Sequence, residues 1–185
     1  MSIYNIIYHM VKRFARRIHL GGENYVGLGA YFVTICCDRR YAVFQDGERG
    51  RWLIEKLRRM AAKHEVDLPA YCAMPDHVHL LAQARRSGCD LKTFVAAFKQ
   101  RSAFDYARCC NRRLWQPRYY EHILRRGEDL EDVVLYIWNN PVRAGICARA
   151  VEYPFSGSTT VDWKARYKHL GDWVPPWKRG RGGQG

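Results

Sequence analysis

Apolar positions along this chain change period several times, and each change marks an element. Ala30-Tyr-Phe-Val-Thr-Ile-Cys-Cys37 is a run of aromatic and β-branched residues that predicts a first strand, with Asp38-Arg39-Arg40 opening a loop after it. From about Glu48 to His64, Trp52, Leu53, Lys56, Leu57 and Met60 recur at helical spacing opposite a charged face. Leu68 to Met74 and His77 to Gln83 read as two further strands. Only Pro75-Asp76 joins them, which is short enough for a hairpin and lets the proline fix the φ of a turn. Asp90 is a candidate cap for a helix from Leu91 to about Cys110, along which Leu91, Phe94, Val95 and Phe98 step by three and four. Trp115 to Arg125 reads as extended, with Pro117 pointing to an edge or a strand start. The last predicted helix, Glu128 to Asn140, carries Glu128, Asp129, Glu131 and Asp132 in its first turns, as the helix dipole favours. Leu130, Val133, Val134 and Ile137 should form its buried stripe, and Pro141 should end it.

The order β-α-β-β-α-β-α predicts an α+β fold with helices packed on an antiparallel sheet. A length of 185 residues gives one domain with a real core and is short for two. The expected division is a basic N-terminal arm over 1–24, a single domain over 25–165, and a flexible basic Gly/Arg/Pro-rich tail over 166–185, the chain becoming tail-like after Val161.

Composition then narrows the partner. Hydrophobic residues are 48% of the chain and aromatics 14%, which excludes a largely disordered protein. Lys and Arg number 31 against 18 Asp and Glu, a formal charge of +13, which favours a polyanion because every phosphate contact releases counterions. Lys92, Lys99, Arg101, Arg112, Arg113 and Arg118, around the second helix and its exit, are the candidate nucleic-acid contacts; a solvated face is the alternative for each. The seven cysteines include two adjacent pairs and no Cys-x-x-Cys, which suits reduced thiols and a cytoplasmic protein, and a polyanionic partner makes nucleoid association the expectation. No apolar stretch is long enough to span a membrane.

The candidate chemistry lies in Met74-Pro-Asp-His-Val-His-Leu-Leu81. On a strand, His77 and His79 point to the same face, where two neutral imidazoles can hold a divalent metal. Tyr136 falls at one edge of the last helix's apolar stripe, and Asn140 is its neighbour four residues on. A tyrosine hydroxyl can attack phosphorus, and an amide oxygen can help to ligate a metal.

His77-Val78-His79 resembles the histidine-hydrophobe-histidine motif of the HUH endonuclease superfamily. Tyr136-Ile-Trp-Asn-Asn-Pro-Val142 resembles the Tyr-Ile-x-x-Asn-Pro-Val signature of the single-tyrosine, IS200-like transposases. Trp115-Gln-Pro-Arg118 with Glu121-His122 is similar to the segment that precedes this tyrosine in the REP-associated branch, and the likeness extends from about residue 28 to 157. The resemblance implies that His77, His79 and Asn140 ligate Mg²⁺ or Mn²⁺, with Tyr136 as nucleophile. It implies nicking and rejoining of single-stranded, hairpin-forming DNA, such as palindromic repeats or element ends, through a 5′-phosphotyrosine, by a monomer or a homodimer. Imidazole is softer than magnesium's usual oxygen ligands, so manganese should serve at least as well.

Rival readings remain at several positions. The histidines alone would also suit a structural pair, Asn139 could replace Asn140, and Tyr119 or Tyr120 could replace Tyr136. His122 suits a positioning role, and Asp76 either caps its turn or orients a histidine. The alternative function is a domesticated DNA- or RNA-hairpin-binding module without cleavage.

Overall fold

The computed structural model describes residues 29–124 and 130–169. The expected arm over 1–24, the stretch 170–185 of the expected tail, and Glu128 and Asp129 lie outside the described residues. Strand β1 (Ala30–Cys36) leads through a loop with two short 3₁₀ turns to helix α1 (Gly47–Lys63), then to the hairpin of β2 (Val66–Met74) and β3 (His77–Ala84). Helix α2 (Leu91–Cys110), strand β4 (Tyr120–Ile123), helix α3 (Leu130–Trp138), the short α4 (Asn140–Arg143), β5 (Ser156–Gly157) and α5 (Trp163–His169) follow. The strands form one five-stranded antiparallel sheet in the order β4-β1-β3-β2-β5. This is the α+β architecture the sequence predicts.

Register sorts the side chains between two faces. Thr34 lies opposite His79 on one side and Tyr120 on the other, and Cys72 also lies opposite His79. Paired residues share a face, so Phe32, Thr34, His77, His79, Cys72, Met74, Tyr120 and His122 stand together. Helix α3 packs on this face, with Tyr136 against the rings of both Phe32 and His79. The opposite face carries Tyr31, Val33, Ile35, Tyr71, Val78 and Leu80, and Arg58 of α1 acts electrostatically on Tyr71 there. Leu53 and Leu57 of α1 and Phe94 and Phe98 of α2 are wholly buried in the core. Asp90 caps α2 as expected, accepting from the backbone N–H of Lys92 and Thr93.

Several expectations need correction. Strand β2 begins at Val66, and its pairing with β3 shifts between Asp67 and Ala70, where Pro69 has no N–H to donate. The extended reading of Trp115 to Arg125 shrinks to β4, plus a bridge from Trp115 to Cys37. Leu130 is 38% exposed rather than buried, because packing starts one turn into α3. Helix α3 stops at Trp138, ahead of Pro141 as expected, but the proline opens no loop: it sits in the first turn of α4, where its missing N–H is an orphan in any case. The expected tail after Val161 instead contains α5, whose Trp163 is buried against Trp138 with ring centroids 5.4 Å apart.

Strand β5 escaped the pattern because it is two residues long. Gly157 is placed there by close approach: a Cβ would lie 2.3 Å from the Tyr71 hydroxyl. The Trp138 indole donates to the Gly157 carbonyl at 3.1 Å, tying β5 to α3.

Candidate active site at the histidine strand

Alternation along β3 brings His77 and His79 together on the α3 face, as their spacing predicts. Both are buried, and their Nε2 atoms lie 3.0 Å apart. Each outer nitrogen has its own partner. His77 Nδ1 meets Asp76 Oδ1 at 2.5 Å, and His79 Nδ1 meets Thr34 Oγ1 at 2.8 Å. An ionised Asp76 can only accept, so His77 Nδ1 carries the proton and its Nε2 keeps a lone pair. Thr34 can donate or accept, so His79 can adopt either tautomer. If Thr34 accepts, both Nε2 lone pairs face the same point. Two nitrogens at roughly 2.1 Å from a metal and at right angles are roughly 3.0 Å apart, so the pair fits a divalent ion.

Asp76 therefore orients a histidine as well as belonging to the turn. Its second oxygen takes Arg40 Nε at 2.8 Å, and Arg40 also donates to Cys36 Sγ at 2.8 Å. Burial works to raise the Asp76 carboxyl, but the bond and charge of His77 and the charge of Arg40 outweigh it and hold the group below its ordinary range. Burial pushes His77 down, with Asp76 offsetting part of the shift. Burial pushes His79 down much further, and the charges of His77, Arg143 and Arg40 add to it. Both imidazoles are thus held neutral, as metal ligands must be.

Tyr136 is only 2% exposed, not a boundary residue. Phe32 locks the arrangement by stacking on His79 (centroids 5.7 Å, planes 19° apart) and meeting Tyr136 edge-on at 5.8 Å. The Tyr136 ring lies 5.8 Å from that of His79. Arg143 places its guanidinium carbon 4.7 Å from the Tyr136 ring centroid. Burial raises the Tyr136 phenol; the charge and hydrogen bond of Arg143 and a hydrogen bond from Asn140 oppose that rise.

The two asparagines have different surroundings. Asn139 Nδ2 donates to the Leu135 carbonyl at 2.8 Å, and its Oδ1 accepts from the Tyr167 hydroxyl of α5 at 2.7 Å. Asn140 Nδ2 donates to the Tyr136 carbonyl at 2.8 Å. Both amides thus donate to carbonyls of the last turn of α3, that of Leu135 also accepting the Asn139 backbone N–H at 2.9 Å. Among the described residues no group of three or more His, Cys, Asp or Glu could hold a metal.

Residues 25–140 match the family described as Transposase IS200 like. The chain belongs to that family. A REP-associated tyrosine transposase of Escherichia coli K12 is 26% identical over 151 residues, spanning 75% of this chain and 87% of its own. A Haemophilus influenzae protein is 31% identical over 139 residues, spanning 69% and 78%. A solved structure of a REP-associated tyrosine transposase bound to a REP hairpin superposes with a TM-score of 0.63 at 23% identity, covering 86% of this chain and 90% of that one. It shares the fold.

Within this IS200-like chain the rival tyrosines separate. Tyr120 stands on the histidine face and meets Phe32 at 6.2 Å, whereas Tyr119 lies under Lys99. The basic candidates divide as well. Lys99 Nζ donates to the carbonyls of Gln116 at 3.0 Å and Pro117 at 3.1 Å, so it braces the segment leaving α2, and burial lowers its ammonium. Arg101 pairs with Asp105 at 3.4 Å. Lys92 and Arg118 are exposed. Arg112 and Arg113 line an open hollow of about 520 Å³ with Arg39, Arg49, Tyr41 and Tyr106.

Sequence reasoning missed Thr34, Arg40 and Arg143. Arg143 stands beyond the break at Asn139, in α4, so helical spacing from Tyr136 does not mark it. Thr34 enters through strand pairing and Arg40 through the turn after β1, neither of which one sequence displays.

Proposed function

We propose that this protein nicks and rejoins single-stranded, hairpin-forming DNA through a phosphotyrosine at Tyr136. The observation that carries the reading is the packing of Tyr136 on His79, whose Nε2 lies 3.0 Å from that of His77. His77, His79 and the Asn140 amide oxygen would hold Mg²⁺ or Mn²⁺, which supplies Lewis-acid polarisation of the phosphate when bound. Asp76 and Thr34 orient the imidazoles, and Phe32 fixes the ring of Tyr136 relative to them. The Tyr136 oxygen attacks phosphorus as the bond to O3′ breaks, leaving a 5′-phosphotyrosine and a free 3′-hydroxyl. Attack by another 3′-hydroxyl reverses the step and rejoins the strand. At 2% exposure the phenol reaches a phosphate only once the side chains around it shift. The charge of +13 and the relative bound to a REP hairpin support a DNA hairpin as the partner.

The test is a covalent adduct between the full chain and a hairpin oligonucleotide drawn from palindromic repeats flanking its coding region, with Mn²⁺ present. Wild type and Tyr120→Phe should form it, and Tyr136→Phe should not. An adduct with Tyr136→Phe removes Tyr136 as nucleophile. Tight binding without any adduct, across several metals and hairpins, points to a non-cleaving binding module.

A further inference from the structure

We infer that Arg143 is a further catalytic residue of this centre, holding the Tyr136 oxygen as it attacks and the negative charge that builds on the phosphate. The inference rests on Tyr136 being the nucleophile, and it adds a cation that the histidine and tyrosine motifs do not contain. The geometry starts with the turn after α3. The Asn139 and Asn140 amides close that helix, α4 begins at Asn140 with Pro141 in its first turn, and the Arg143 N–H donates to the Asn139 carbonyl at 2.9 Å. This short path returns the Arg143 side chain over the Tyr136 ring, with its guanidinium carbon 4.7 Å from the centroid. Its charge acts on the Tyr136 phenol, whose oxygen is the reacting atom, and on His79. Arg143 therefore lies over the nucleophile's ring and acts on the nearer histidine, His79.

Chemistry makes a guanidinium useful there. Tyr136 loses its proton to solvent and gives an oxygen electron pair to phosphorus. The P–O3′ pair leaves with O3′, which takes a proton from water. The diester carries one negative charge before and after, and a second builds only while five oxygens surround phosphorus. A planar fork with several N–H donors can hold the tyrosine oxygen and one non-bridging phosphate oxygen together. Because that extra charge exists only in the transition state, the effect belongs to the rate and not to binding.

The test is single-turnover adduct formation with the full chain, the same hairpin and Mn²⁺, alongside hairpin affinity and thermal midpoint. Arg143→Gln should slow the adduct roughly 100- to 1,000-fold, the usual loss for one transition-state donor, with hairpin affinity unchanged. Arg143→Lys keeps the charge without the fork and should fall between the two. Methylguanidinium added to Arg143→Ala should restore part of the lost rate without tightening DNA binding. If Arg143→Gln fails to fold, the lysine variant and the rescue decide. An undiminished rate in Arg143→Gln overturns the inference while leaving Tyr136 in place. Equal losses of rate and affinity, with no rescue, overturn it too and make Arg143 a structural or DNA-contact residue. Absence of an adduct with wild type overturns the parent reading and this one together.

Discussion

Replacing Asp76 with asparagine should weaken Mn²⁺ binding by about 10- to 100-fold, about 1.4 to 2.7 kcal/mol, for a reason of hydrogen-bond parity. Asp76 now accepts twice, from His77 Nδ1 at 2.5 Å and Arg40 Nε at 2.8 Å. An asparagine of the same shape has one oxygen and one NH₂. Arg40 can only donate, so it claims the oxygen and turns the NH₂ toward His77. His77 must then accept at Nδ1, which puts its proton on Nε2, where the metal needs a lone pair. Loss of the ion pair itself should lower stability by only about 1 kcal/mol, since Arg40 and Asp76 remain 27% and 23% exposed and solvent screens them. Calorimetric Mn²⁺ titration with urea denaturation in parallel separates the two effects. The double variant Arg40→Ala/Asp76→Asn frees the amide to turn its oxygen to His77 and should bind Mn²⁺ more tightly than Asp76→Asn alone. Equal Mn²⁺ affinity for wild type and Asp76→Asn would falsify the tautomer argument, and a double variant weaker than the single would refute the role given to Arg40.

Stability should fall in acid, because His77 and His79 are held neutral in the folded chain. Unfolded imidazoles bind protons below about pH 6.5 while the buried ones do not, so stability is present above that value and is lost as pH drops below it, by up to about 1.4 kcal/mol per pH unit for each. A urea midpoint that stays constant from pH 7.5 to 5.5 in metal-free buffer contradicts this. Gly50→Ala should lower the thermal midpoint even though alanine is the better helix former: its Cβ would lie 2.7 to 2.9 Å from Phe155 ring carbons, an overpacking of about 1–3 kcal/mol against a propensity gain of about 1 kcal/mol. A raised midpoint sinks that reasoning. Tyr167→Phe removes the donor to Asn139 Oδ1 and should cost about 1 kcal/mol in denaturation while leaving Mn²⁺ affinity intact; weaker metal binding would reassign Asn139 as a ligand.

The sequence carried the elements whose period is long and clean. Strands β1 and β3, helices α1 and α2, and the Asp90 cap all lie where alternation, helical spacing and cap chemistry place them. It carried less where burial is decided by what arrives later in the chain. Tyr136 sits off the apolar stripe of α3 and is buried all the same, since everything from Val133 to Trp138 is enclosed. Trp163 and Tyr167 of α5 cover Trp138, at 5.4 and 6.5 Å, from a stretch that reads as tail. A helical stripe marks the face against the first layer; it says nothing of a second layer supplied by a short helix with Lys164 and Arg166 between its aromatics and Lys168 after them.

The active-site geometry depends on a choice that no single strand reveals. Alternation alone puts His77 and His79 on a common face but does not say which face or beside what. Pairing decides it: Thr34 opposite His79 supplies the partner for Nδ1, and Phe32, two residues back on β1, stacks on His79 and receives Tyr136. A slip of β1 by one residue would set Val33 opposite His79 and turn Phe32 and Thr34 to the α1 and α2 side. His79 would then be buried with no partner for Nδ1, and Tyr136 would lose one of the two rings that fix it. The slip is resisted because both faces of β1 are buried, Val33 and Ile35 on one and Phe32 and Thr34 on the other, so each face penalises the exchange. The packing that stabilises the sheet is therefore also what sets the metal-binding nitrogens and the tyrosine on one side of it.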